Sequence, residues 1–149
     1  MKTLMLYLTA VLFSFHGFAE QLSVTNLKVR EFIPGAVSSV AYFMLSNQSE
    51  TAKTLIEVKI KGVERTELHQ HSHVDGLMKM EQVSQVEVPA QESVVFQPGG
   101  LHLMLFEPTS LPVAGEMTDA TFKFSDGEQI TVRGQIISLM RQEHDHSHH

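Results

Sequence analysis

The chain contains no cysteine. That single absence excludes disulfides, thiolate metal sites, iron–sulfur clusters and thiol redox chemistry. Any soft metal ligand in this protein must therefore be methionine. A basic excess is missing too: the formal charge is −6, against the positive face that nucleic-acid binding requires. No long helical periodicity, internal repeat or linker is visible, so the 149 residues suit one domain large enough to bury its own core. Only one apolar run stands out, at the N-terminus. Lys2 precedes it, Leu4 to Phe15 form its body, and Gly17-Phe18-Ala19 offers small residues at the −3 and −1 positions of a cleavage site. The run is shorter than the ~20 residues of a membrane span. Residues 1–19 are thus expected to be a signal peptide, leaving a mature protein that does not span the membrane and lies outside the cytoplasm.

What is present is β pattern. With 42% apolar and 19% charged residues the composition is that of an ordinary globule. From Gln21 onward, short runs rich in Val, Ile, Leu, Phe and Thr alternate with polar residues. Strands are predicted at 23–32, 39–47, 54–61, 65–73, 77–83, 86–88, 92–97, 102–106, 118–124 and 129–137. Breaks are expected at Pro34-Gly35, Lys61-Gly62, Asp75-Gly76, Pro89, Pro98-Gly99-Gly100, Glu107-Pro108, Ala114-Gly115 and Asp126-Gly127. The fold class is all-β, an antiparallel Greek-key sandwich or barrel over residues 20–140. Residues 141–149 hold His144, His146, His148 and His149 and no apolar side chain, which predicts a flexible tail.

Histidine and methionine are abundant, and they cluster. His69, His71 and His73 are spaced at two, so a strand turns all three imidazoles to one face. With Asp75-Gly76 as a two-residue turn, His73 pairs with Met78 and His71 with Met80, and His69 lies diagonal to Met80. His102 and Met104 share a face of a second strand whose other face carries Leu101, Leu103 and Leu105. Methionine alone is ordinarily a filler of core gaps. Two strands that each present His with Met on one face point instead to a metal site. Thioether sulfur suits Cu(I) and suits magnesium, calcium or zinc poorly, while imidazole binds either copper oxidation state. Without a Cys thiolate the centre is not a blue-copper electron carrier, and the chemistry points to carrying copper.

These residues resemble the periplasmic copper chaperone family that serves the copper A centre of cytochrome c oxidase. The family motif is His, ten residues, Met, twenty-one residues, then His-x-Met; here it runs His69, Met80, His102, Met104. Glu67-Leu68-His69, Gly76-Leu77-Met78-Lys79-Met80 and Pro98-Gly99-Gly100-Leu101-His102-Leu103-Met104-Leu105 extend the likeness across roughly residues 22–136. The resemblance implies a cupredoxin-like fold, one Cu(I) held by those four side chains, and delivery to an acceptor protein of the oxidase assembly pathway. Lacking cysteine, the chain would need a separate thiol reductant to prepare such an acceptor. Many relatives carry a further Met just after the first His; this chain has Gln70 and His71 there, which makes His71 and His73 auxiliary candidates. The tail resembles metal-collecting extensions of relatives, and its imidazoles, with no thioether nearby, would favour Cu(II), nickel or zinc. No catalytic residue is expected. A copper enzyme would need a carboxylate such as Glu67 or Glu81 beside an open position. Copper buffering and a purely structural β-sandwich module compete with delivery as roles for such a chain.

Overall fold

The computed structural model describes residues 21–110 and 112–138. The expected signal peptide at 1–19, the end of the domain at residues 139–140 and the four tail histidines lie outside the described residues. All regular structure among the described residues is β. The strands are β1 (Leu22–Arg30), β2 (Ser38–Asn47), β3 (Lys53–Ile60), β4 (Val63–Val74), β5 (Leu77–Gln82), β6 (Val86–Val88), β7 (Ser93–Phe96), β8 (Leu101–Pro108), β9 (Met117–Phe124) and β10 (Gln129–Ile137). Each predicted strand is present, with no end shifted by more than two residues. One expected break is not a break: β8 runs through Glu107 and Pro108, because Val63 of β4 pairs with Pro108 and keeps the ladder going. Glu107 absorbs the irregularity with a left-handed φ of 56°.

The strands form a single sheet in the order β5-β4-β8-β7-β2-β1-β10-β9-β3-β6, with a further β2–β8 pairing. Most ladders are antiparallel, whereas β7 pairs briefly with β8 in parallel and β1 and β10 run parallel, joining the first strand to the last. Near the two ends of the order, β3 and β4 lie against each other, and the Thr66 hydroxyl donates to the Val58 carbonyl. The sheet therefore rolls onto itself as a sandwich, and alternation along each strand decides what faces inward. Leu45, Leu55, Phe96, Leu103, Leu105 and Phe122 are fully buried there. Phe43 stacks on Phe96 with ring centroids 4.1 Å apart and meets Phe122 edge-on at 4.9 Å. Each such aromatic pair adds about 0.5–1.5 kcal/mol beyond its burial.

Two local devices hold this shape. Asn47, buried at the end of β2, donates to the carbonyls of Thr51, Val88 and Pro89 and accepts from the Ser49 amide and hydroxyl. It ties β2 to the connection after β6 with every side-chain polar atom satisfied. In β1 the register slips between Thr25 and Lys28, where Asn26 takes φ 55° and Leu27 turns inward over Gly134. Across the sheet, β4, β5 and β8 form one extremity, with β5 as a free edge.

Candidate metal centre

The β4–β5 hairpin closes on Asp75 and Gly76, with φ of 52° and 77°, the signs that a type I′ turn needs. This turn fixes the register by its length: Val74 faces Leu77, His73 faces Met78, and His71 faces Met80. On the other side of β4, His69 faces His102 and Glu67 faces Met104. Leu68 pairs with Leu103 one residue out of phase, and both are buried in the core. The opposite face of β5-β4-β8 is therefore a small grid. One row holds Met80 and His71, the next Gln82, His69 and His102, the third Glu67 and Met104.

His102 anchors the grid. It is only 4% exposed, and its Nδ1 donates to the Gly100 carbonyl at 3.0 Å. That bond fixes the tautomer and leaves Nε2 as the lone-pair nitrogen. Burial lowers the pKa of His102, against the opposing pull of the Gly100 hydrogen bond, so the ring is held in the neutral form that ligates metals. The same carbonyl accepts the His71 amide at 3.3 Å, which joins the hairpin to the start of β8.

His69 is held differently. Its Nε2 lies 2.8 Å from a Glu67 carboxylate oxygen, and a carboxylate only accepts, so Nε2 carries the proton. The hydrogen bond from His69, with the Arg65 guanidinium beside it, keeps the Glu67 carboxyl below the usual carboxylate range. Arg65 in turn lies over the Phe106 ring at 4.1 Å and reaches Glu107 at 3.2 Å. His69 Nδ1 is then the lone-pair atom, and it is buried with no hydrogen-bond partner. His71 Nδ1 is buried without one as well. Such nitrogens call for a partner, since an unsatisfied buried group costs about 1–3 kcal/mol.

A cavity of about 320 Å³ opens on this face, lined by His71, Met80, His102 and Met104 together with Tyr42 and Pro98. The ring of His71 lies 4.9 Å from that of His102, and the ring of His69 5.8 Å from it. Met104 is half-buried and Met80 is 52% exposed on the edge strand. Three of the four motif residues thus meet at one cavity, while His69 lies beside it, leaning to Glu67. His73 is exposed near the turn and does not line the cavity. Among the described residues no three His, Asp or Glu side chains converge to hold a metal by themselves. A metal here would draw on the thioethers. The Glu67 carboxylate, from sequence either a solvated strand residue or a catalytic group, is the partner of His69; its shared strand parity with His69 was the available signal.

Residues 22–136 match the family model of LpqE-like lipoproteins. The chain is 30% identical over 106 residues to the Uncharacterized protein RP573 of Rickettsia prowazekii (strain Madrid E), covering 70% of this chain and 59% of that protein. It therefore spans about three-fifths of the length of this relative. Among solved structures the fold is similar to the copper-bound PCuAC domain from PmoF2, with TM-score 0.65 and 17% identity over 79% of this chain and 93% of that one. It is also similar to the Cu(I) form of DR1885 from Deinococcus radiodurans, with TM-score 0.64 and 23% identity over 80% and 78% of the two chains. At these identities the likeness establishes the fold, the cupredoxin-like single domain expected from sequence.

Proposed function

Since the chain belongs to the LpqE-like family, and its fold is shared with domains solved with copper bound, we propose that it is an exported, non-enzymatic copper chaperone. The observation that carries this reading is the meeting of His102, Met80 and Met104 with the His71 imidazole at one cavity, with the His69 ring close to His102, in a chain that has no thiol. Two imidazoles and two thioethers make a neutral, soft donor set that favours Cu(I). The proposed ligands are His69, Met80, His102 and Met104. In this reading His102 binds through Nε2, with Nδ1–H engaged by Gly100, and the carboxylate of Glu67 orients His69.

Copper is the cargo, and the exposure gradient across the site suits its release. Met80 on the free edge is open to an incoming ligand, whereas His102 is enclosed. An acceptor would displace the Met80 thioether first and the His102 imidazole last. Delivery towards the copper A centre of cytochrome c oxidase, with a separate thiol reductant, is the proposed destination. The N-terminal 19 residues would direct export to the periplasm, and the tail histidines would gather Cu(II). The 149 residues offer no cysteine for a thiol-linked lipid. Among the described residues no helix is long and apolar enough to cross a membrane.

Titration of the chain with Cu(I) against a competing chelator tests the reading. One tight equivalent is expected, weakened at least about tenfold by Met104→Ala and by Met80→Ala, a loss of roughly 1.4 kcal/mol each. Mild peroxide should weaken it as well, because a sulfoxide replaces soft sulfur with a harder oxygen donor. Affinity unchanged by both substitutions would sink the copper site.

A further inference from the structure

The four-residue motif names one imidazole on β4, but the fold supplies two whose Nδ1 is without a partner. His69 and His71 lie on the same face of β4, in neighbouring rows of the grid, and both rings lie close to His102. Both have a buried Nδ1 with no hydrogen-bond partner. They differ in what surrounds them. His69 is held by Glu67 through Nε2–H and lies opposite His102. His71 lines the cavity itself, directly across from Met80, and its amide is bonded to the carbonyl that also fixes His102.

We propose that His71 is a fifth copper donor of this site, able to stand in for His69, and that both imidazoles bind through Nδ1. The inference rests on the copper reading above. Copper near His102 and Met104 has His69 as its neighbour in the inner rows. Copper shifted one row towards the sheet edge has His71 and Met80. A single ion can thus exchange one β4 imidazole for the other while staying beside His102, whose ring lies close to both, and passing from His69 to His71 moves it nearer the exposed β5 edge. No bond other than metal–ligand bonds forms or breaks, and no electron is transferred. Glu67 is a positioning residue here: by accepting Nε2–H it leaves Nδ1 of His69 as the free donor.

The test uses the full chain with His144→Ala, His146→Ala, His148→Ala and His149→Ala as a common background, so that the tail does not compete. Cu(I) affinity is measured by chelator competition for His69→Ala, His71→Ala and the pair together. Each single substitution should weaken binding by less than about tenfold and the pair by more than about a hundredfold, because either imidazole covers for the other. His71→Gln gives a second variant of similar size, and unfolding midpoints of the copper-free proteins verify that the fold is intact. Long-range proton–nitrogen spectra of the diamagnetic Cu(I) form supply an independent readout. Nδ1 of both His69 and His71 should shift on loading, while His102 should shift at Nε2. A pair no weaker than His69→Ala alone, or a His71 ring whose nitrogens do not move, would overturn the proposal and leave the copper reading standing. If the parent chain binds no Cu(I) against the chelator, both fall together.

Discussion

Gly134 has no room for a side chain. A Cβ built on it would lie 2.4 Å from Leu27 Cγ and 3.0 Å from the Leu27 carbonyl oxygen. Leu27 is 6% exposed and comes from the slipped register of β1, so the bulge and the glycine are two halves of one packing solution. Gly134→Ala should therefore destabilise the fold by about 1–3 kcal/mol, the usual cost of overpacking, although alanine is otherwise the easier residue to order. The check is a urea midpoint against wild type. An unchanged midpoint would mean that Leu27 rotates away at no cost. Nothing in the local pattern of β10 marked this glycine, because its partner lies on the first strand of the chain and β10 is the last. The same limit applied to Glu67. Its parity with His69 was visible, but the hydrogen bond between them depends on how Arg65 and the twist of β4 turn the two side chains.

At the scale of the element, the hairpin was the most legible part of the molecule. Alternation set the strands, and Asp75-Gly76 set the register, since a two-residue turn leaves only one pairing. Contact between β4 and β8 was not legible in that way: their ladder joins His69 to His102 across a long sequence separation, which no turn residue specifies. Parity likewise could not choose between His69 and His71, which share a face and differ only in which row of the grid they occupy. Glu107-Pro108 misled for the opposite reason, as a turn signal that β8 overrode by pairing with β4. Because the turn holds Met80 opposite His71, it should also hold the metal site. Gly76 has φ 77°, where a Cβ is strained although open space surrounds it. Gly76→Val should cost about 1–2 kcal/mol locally and raise amide exchange at Met78 and Met80 before it affects the core. Cu(I) affinity should fall with it. Unaltered exchange in β5 would show that pairing with β4, not the turn, sets the register.

For the whole molecule, the charged and titratable groups fix how stability answers to pH. The Asp126 carboxylate, bonded to Lys53 and to the Glu128 amide, is held below the usual carboxylate range, and Glu67 is held low by His69 and Arg65. A carboxyl depressed in the folded state adds stability above its unfolded pKa, and that stability is lost as pH falls through the folded value. His102 shifts in the same direction for another reason, since burial resists its protonation. In its case the unfolded chain takes up the proton first, so stability declines as pH falls from the ordinary histidine pKa towards the lower folded value. Lys53 is raised by Asp126 and Glu128, and its contribution is lost only on the alkaline side. The copper-free protein should therefore lose stability in two stages on acidification, a shallow one through the histidine range and a steeper one through the carboxylate range. Urea midpoints measured from mildly alkaline to acidic pH would resolve them, with His102→Gln flattening the first stage and Asp126→Asn lessening the second. Cu(I) should protect against the first stage, because a ligated His102 cannot take a proton without releasing the metal. If copper left that stage unchanged, His102 would not be a ligand.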